Sequence, residues 1–152
     1  QLKKLVTTVP FDDGNASVYV IKLKSKIIPV IDKNNKVKVN LSLTGEATLQ
    51  ASNTNLDFSQ PRNLSNLKQK FEKKAQKQVL KTIAKVQKQY SADIFGFGEI
   101  IHQKQPNKWK ALKNDWDKTF SNADIHVNVN LKIQRIGMSG PSLLYKESEI
   151  KK

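Results

Sequence analysis

Apolar and polar residues alternate without a slip along two stretches of the chain. In 37-VKVNLSL-43, Val37, Val39, Leu41 and Leu43 fall on one side and Lys38, Asn40 and Ser42 on the other. In 124-DIHVNVNLKIQ-134, Ile125, Val127, Val129, Leu131 and Ile133 oppose His126, Asn128, Asn130, Lys132 and Gln134. Successive strand side chains point to opposite faces, so both stretches predict strands with one face buried and one wet. Ser17 to Leu23 (SVYVIKL), rich in β-branched and aromatic residues, predicts a further strand after an N-terminal lead-in. The apolar run 27-IIPVI-31 adds another, at an edge or a bend because Pro29 has no N–H for a ladder. The cluster 32-DKNNK-36 reads as a turn. Gly45 places a bulge or strand end near 44-TGE-46, since Ala47 and Leu49 keep the odd phase while their polar partners change.

The period then changes. Positions 62 to 90 hold no Gly or Pro and place Leu64, Leu67, Phe71, Ala75, Val79, Ile83, Val86 and Tyr90 at steps of three or four. This predicts one amphipathic helix about 40 Å long at 1.5 Å per residue. A coiled coil fits less well, because steps mostly of four drift from a strict heptad. Asp93 to Gln105 and Asn107 to Phe120 predict two shorter helices, with Pro106 suited to the first turn of the second. The tail from Met138 returns to loop, and about 144–152 reads as frayed. Strands, then consecutive helices, then a closing strand predict an α+β fold: an antiparallel or mixed β-sheet with one long and two shorter helices packed on one face. The length of 152 residues suits a single domain, 1–152.

Charge narrows the partners. There are 27 basic against 13 acidic residues, a net of +14, and only Arg62 and Arg135 are arginine. Specific phosphate and base recognition favours the planar Arg fork, whereas a lysine surface suits diffuse attraction to anionic lipid, an acidic protein or a polyanion. On the long helix Lys70, Lys74, Lys77, Lys81, Lys85 and Lys88 form a stripe of their own beside the apolar one. It reads as a solvated helix face, or as a face lying near a negatively charged membrane, where each nearby Lys is worth about 1 kcal/mol. With few aromatics interleaved, it does not resemble a base-reading surface. The absence of cysteine excludes disulfides, thiolate metal sites and cysteine nucleophiles within the chain. The start at Gln1, with no apolar stretch long enough for a signal peptide or a membrane span, reads as a piece of a longer precursor.

Catalytic patterns are incomplete. The glycines of 95-FGFGE-99 lack the third glycine and preceding strand of a dinucleotide fingerprint, and no Gly-Lys-Ser/Thr marks a P-loop. Gly96 and Gly98 read instead as points of close backbone approach, with Phe95 and Phe97 filling space on either side. Glu99 and His102 have the i, i+3 spacing of bundle metal sites, but no second Glu-x-x-His accompanies them. There is no G-x-S-x-G, and Asp115 and Asp117 point to different sides of a helix, so no paired acid and base emerges. Trp109, Leu112, Trp116 and Phe120 share one face of the third helix, either its core side or an aromatic docking face.

Taken together, Asp93 with Phe95 and Gly98, Trp109 and Trp116 after Pro106, and an alternating strand ending in 135-RIG-137, with Gly137, resemble a known family. The pattern is similar to the C-terminal region of the Ger(x)C spore-germination proteins, the lipoprotein C subunit of nutrient germinant receptors in endospore-forming bacteria. It covers most of the chain and is most specific across 92–137. The resemblance implies a non-enzymatic subunit of a membrane receptor complex required for nutrient-triggered spore germination, acting beside a multi-spanning A subunit and a transporter-like B subunit. It implies a place on the outer face of the spore inner membrane, held by a lipid anchor in an N-terminal region absent from this sequence. No catalytic, metal, cofactor or small-molecule residues come with it. The motif residues read as structural, and the lysine stripe as the candidate surface toward other subunits or the anionic membrane. A function from a different class, a soluble basic domain binding nucleic acid as a polyanion, rests on the charge alone.

Overall fold

A computed structural model of the chain describes residues 5–90 and 92–135. The alternating stretches form strands and the 3.6-period stretches helices. In chain order they are β1 (Leu5–Phe11), β2 (Gly14–Ile31), β3 (Val37–Ser52), α1 (Pro61–Gln89), α2 (Phe97–Lys104), α3 (Pro106–Leu112), a 3-10 turn (Lys113–Asp115), α4 (Trp116–Asn122) and β4 (Asp124–Arg135). The strands lie side by side as β1-β2-β3-β4. β1 runs antiparallel to β2, with Val9 opposite Ala16 and Phe11 opposite Gly14.

Residues 32–36 join β2 to β3, and so short a link connects antiparallel neighbours. Asp32 closes it by accepting bonds from the Asn34 and Lys36 amides at 2.8 and 2.9 Å. Asn35 takes the left-handed conformation, φ 62°, which asparagine tolerates. β4 is parallel to β3: Ile125 packs on the cluster holding Val37 and Val39, while Val127 joins Leu41 further along. A parallel pair needs a long crossover, and all the helices lie in it. The sheet is therefore mixed and the class α+β, as the order of elements predicts.

By their contacts, the described residues 5–24, 44–74 and 130–135 group into one compact unit and 25–43, 75–90 and 92–129 into another. In the first, Ala16, Val18 and Val20 of β2, Ala47 and Leu49 of β3, and Leu67 and Phe71 of α1 are buried. Phe11 packs on Phe58 at 5.8 Å, and the Lys70 ammonium stands 5.3 Å from the Phe11 ring centroid. Lys74 Nζ donates to the Thr8 carbonyl, and Glu72 accepts the Leu131 amide at 2.8 Å. In the second, Val37 and Val39 meet Val86 of α1, Phe97 and Ile101 of α2, and Trp116 and Phe120 of α4. A neighbouring cluster gathers Leu41, Ile83 and Val127. Glutamines of α1 hold backbone ends there: Gln76 donates to the Val127 carbonyl at 2.8 Å, and Gln87 to Phe120 and Ala123 at 2.8 and 3.0 Å.

Several expectations change. The lead-in contains a strand, β1, whose Val9 is buried and Val6 exposed. Pro10 near its end and the lack of alternation hide it, and pairing to β2 creates it. The two apolar runs of β2 are one strand, and the irregularity near Gly45 belongs to β2 rather than β3. β3 keeps odd buried positions from Val37 to Leu49, whereas burial in β2 passes from Ala16, Val18 and Val20 to the odd-numbered Ile27, Pro29 and Ile31. An odd shift of phase requires an extra residue in that strand. Gly45 makes room opposite: a Cβ there would stand 2.1 Å from the Lys22 carbonyl oxygen. α1 ends at Gln89, and Tyr90, expected on its apolar stripe, is exposed. The helix expected from Asp93 starts at Phe97, and the one expected over Asn107 to Phe120 is broken into α3, the 3-10 turn and α4. The frayed tail and Gly137 lie outside the described residues.

Candidate functional site: an aspartate-centred knot, a lysine face and a groove

Asp93 stands just ahead of α2, where the first amides of a helix lack intrahelical acceptors. Its Oδ1 accepts from the Gly96 and Phe97 amides at 2.9 and 3.1 Å, and its Oδ2 from the Gly98 amide at 2.7 Å and the Trp116 indole Nε1 at 2.9 Å. The carboxylate thus caps α2 and ties it to α4 with one group. Gly96 permits the approach because its φ of 79° is left-handed, and nothing stands within 4 Å of a Cβ built on it. Its role is conformational, and the close-packing role expected of it belongs to Gly98 alone. A Cβ on Gly98 would stand 2.7 Å from Trp116 Nε1 and 3.0 Å from Trp109.

The break after Leu112 completes the knot. In a straight α-helix residues seven apart would be about 10.5 Å apart along the axis. Here the Trp109 and Trp116 rings meet edge to face at 5.5 Å. His102 stacks on Trp109 at 5.9 Å, and Phe95 stacks on Phe97 at 5.4 Å. Trp116 and Phe120 are buried, Trp109 and Phe95 partly so. Asp93, Phe95, Gly98, Trp109 and Trp116 are therefore one packed assembly.

Chemically this assembly is closed. Both oxygens of Asp93 are taken by N–H donors. Glu99 and His102 approach only to 3.9 Å and are mostly exposed. Among the described residues, no three His, Cys, Asp or Glu side chains come together as a metal site would require.

The lysine stripe divides. Lys70 and Lys74 are engaged with Phe11 and Thr8. Lys77, Lys81, Lys85 and Lys88 are exposed, and α1 carries no acidic residue from Ala75 to Gln89. Beside this face lies a feature that residue spacing gave no means of finding. It is a groove of about 350 Å³ bounded by Ile27 of β2, Leu43 of β3, Val79 and Ile83 of α1, and Phe95.

Residues 1–137 match the model of a family described as "Spore germination B3/GerAC like, C-terminal". The chain belongs to this family. It is 30% identical over 135 residues to spore germination protein YndF of Bacillus subtilis, covering 89% of this chain and 31% of that protein. To spore germination protein B3 of Bacillus subtilis it is 30% identical over 131 residues, covering 85% of this chain and 35% of that one. The crystal structure of the GerBC protein superposes with a TM-score of 0.77 at 26% identity, over 87% of this chain and 41% of that chain. The chain thus spans about a third of the length of these curated relatives. The family is that of germinant-receptor C subunits involved in spore germination, and the fold is the one GerBC contains. No helix among the described residues is long and apolar enough to cross a membrane.

Proposed function

We propose that the chain is the non-catalytic C-terminal module of a nutrient germinant receptor's C subunit, and that it works by contact. Its partners in this reading are the A and B subunits of the receptor at the outer face of the spore inner membrane, or the anionic surface of that membrane. The parent protein is held there by an N-terminal lipid anchor, and 1–152 acts as a single domain. The observation that carries the reading is the free lysine face of α1, Lys77, Lys81, Lys85 and Lys88, which has no acidic neighbour on its own helix. Long-range attraction of this kind steers a protein toward a negative surface. The closed state of Asp93 supports a structural rather than catalytic role for the motif.

Deleting the parent gene should abolish the response of spores to particular nutrients while leaving sporulation intact; normal germination in every nutrient overturns the reading. The nucleic-acid reading draws on the same charge, but the aromatic cluster offers no open ring face for stacking on bases: Trp116 and Phe120 are buried and Trp109 packs against Trp116 and His102, while Tyr90 stands exposed outside that cluster. It requires DNA or RNA binding that falls steeply with salt.

A further inference from the structure

We infer, resting on the reading of the chain as an interaction module, that the exposed side of α1 from Lys77 to Gln89 faces lipid: it lies along the headgroups of an anionic bilayer without entering it. The four lysines of this side are interleaved with exposed Gln78, Thr82 and Gln89, and with no exposed apolar or aromatic residue. Tyr90, just past the helix, stands four residues after Val86 and so on the side of the apolar stripe. Packed protein interfaces draw their energy from aromatic, aliphatic and arginine anchors, and lysine is depleted in them. Nucleic-acid surfaces use stacking rings and arginine forks. This side of α1 offers none of these. A bilayer requires none, because its phosphates form a diffuse sheet of charge to which each nearby lysine adds attraction.

The other side of the helix sets the depth. Ile83 is buried with Leu41 and Val86 with Val39, so α1 turns its apolar stripe to the sheet and has none to insert, as an amphipathic surface helix would. The contact is therefore electrostatic and stays at headgroup level. The ammonium groups are available for it. Among the described residues, none of Lys77, Lys81, Lys85 and Lys88 makes an ion pair or a hydrogen bond through its side chain. Lys70 and Lys74, by contrast, are held by the Phe11 ring and the Thr8 carbonyl, so the contact begins at Lys77. Steps of four, four and three keep the lysines on one side over about 16 Å of helix at 1.5 Å per residue.

Sedimentation of the chain with lipid vesicles tests this. Vesicles of phosphatidylcholine carrying about 30 % phosphatidylglycerol should bind the chain, and vesicles of phosphatidylcholine alone should not. Replacing Lys77, Lys81 and Lys85 by Gln should lower the partition coefficient roughly a hundredfold, the combined effect of three lysines near the surface. Replacing Lys26, Lys36 and Lys38 by Gln removes the same charge from exposed positions of β2, β3 and the turn between them. Those lysines stand off the contact, so the loss should be about tenfold smaller or less. Circular dichroism should show both variants folded. Because the chain has no cysteine, a nitroxide can be attached at Gln78→Cys on α1 or at Asn128→Cys on the exposed face of β4. Nickel chelated to lipid headgroups should relax the first label and not the second. Equal losses from the two triple variants, equal relaxation at the two labels, or no preference for anionic vesicles overturns the proposal. So does tighter binding to an oligoglutamate peptide or to single-stranded DNA that the α1 variant also loses, which would make the face a protein or nucleic-acid contact. No vesicle binding, with germination still lost on gene deletion, would overturn the lipid contact and keep the module; vesicle binding as expected with normal germination would do the reverse.

Discussion

Both oxygens of Asp93 are occupied, and Asp93→Asn places an amide NH₂ against N–H groups that need an acceptor. Hydrogen bonds to a charged group contribute about 1.5–3 kcal/mol each, and part of that set is lost. Urea unfolding should report a loss of about 2–3 kcal/mol with a shift in tryptophan emission as Trp116 loses its partner. Gly98→Ala forces a methyl to within 2.7 Å of the Trp116 ring nitrogen. Overpacking of this kind costs about 1–3 kcal/mol, and the same unfolding assay measures it. Thr48 points the other way. It is buried, and its hydroxyl has no partner among the described residues. Thr48→Val keeps the shape and removes the unpaired group, so thermal unfolding should show a gain of about 1 kcal/mol. Spacing marked the motif residues, but not their mutual contacts: Asp93 and Trp116 are 23 positions apart and meet only because α2 and α4 fold together.

At the scale of elements, periodicity carried furthest where one face is buried throughout. β4 and the interior of α1 follow their alternation and their stripe because each residue's side is fixed by its own backbone. Boundaries followed tertiary contacts instead. α2 begins four residues later than its pattern because Asp93 serves as a cap from outside the helix, and the third helix breaks so that Trp116 can reach Asp93. The strand pair at Gly45 gives a direct test. Gly45→Val sets a branched side chain against the Lys22 carbonyl, where even a Cβ would stand at 2.1 Å. Both strands must part, so the chemical-unfolding midpoint should fall by an amount equivalent to about 2 kcal/mol or more.

For the whole molecule, the net charge of +14 is the property most exposed to a partner. Replacing Lys77, Lys81 and Lys85 by Glu should leave the circular dichroism spectrum and unfolding midpoint nearly unchanged, because all three are exposed. In spores the same substitutions should lower the amount of assembled receptor, read by immunoblot of inner-membrane fractions. An unchanged receptor level assigns the face to solvation. Attraction that depends on this field should also weaken as ionic strength rises, since exposed charges are screened beyond about 8 Å at physiological salt.

The sequence by itself determined the α+β class, the long helix, the β3 and β4 alternations, the charge and the spaced constellation that marks the family. These depend on local backbone geometry and on residue identity, which neighbours in the chain set. Only the tertiary structure decided that β3 and β4 are parallel, that the extra residue lies in β2, that Asp93 joins α2 to α4, and that a groove opens beside Lys81 and Lys85. Each of these requires residues distant in sequence to meet, and no periodicity records which of them do.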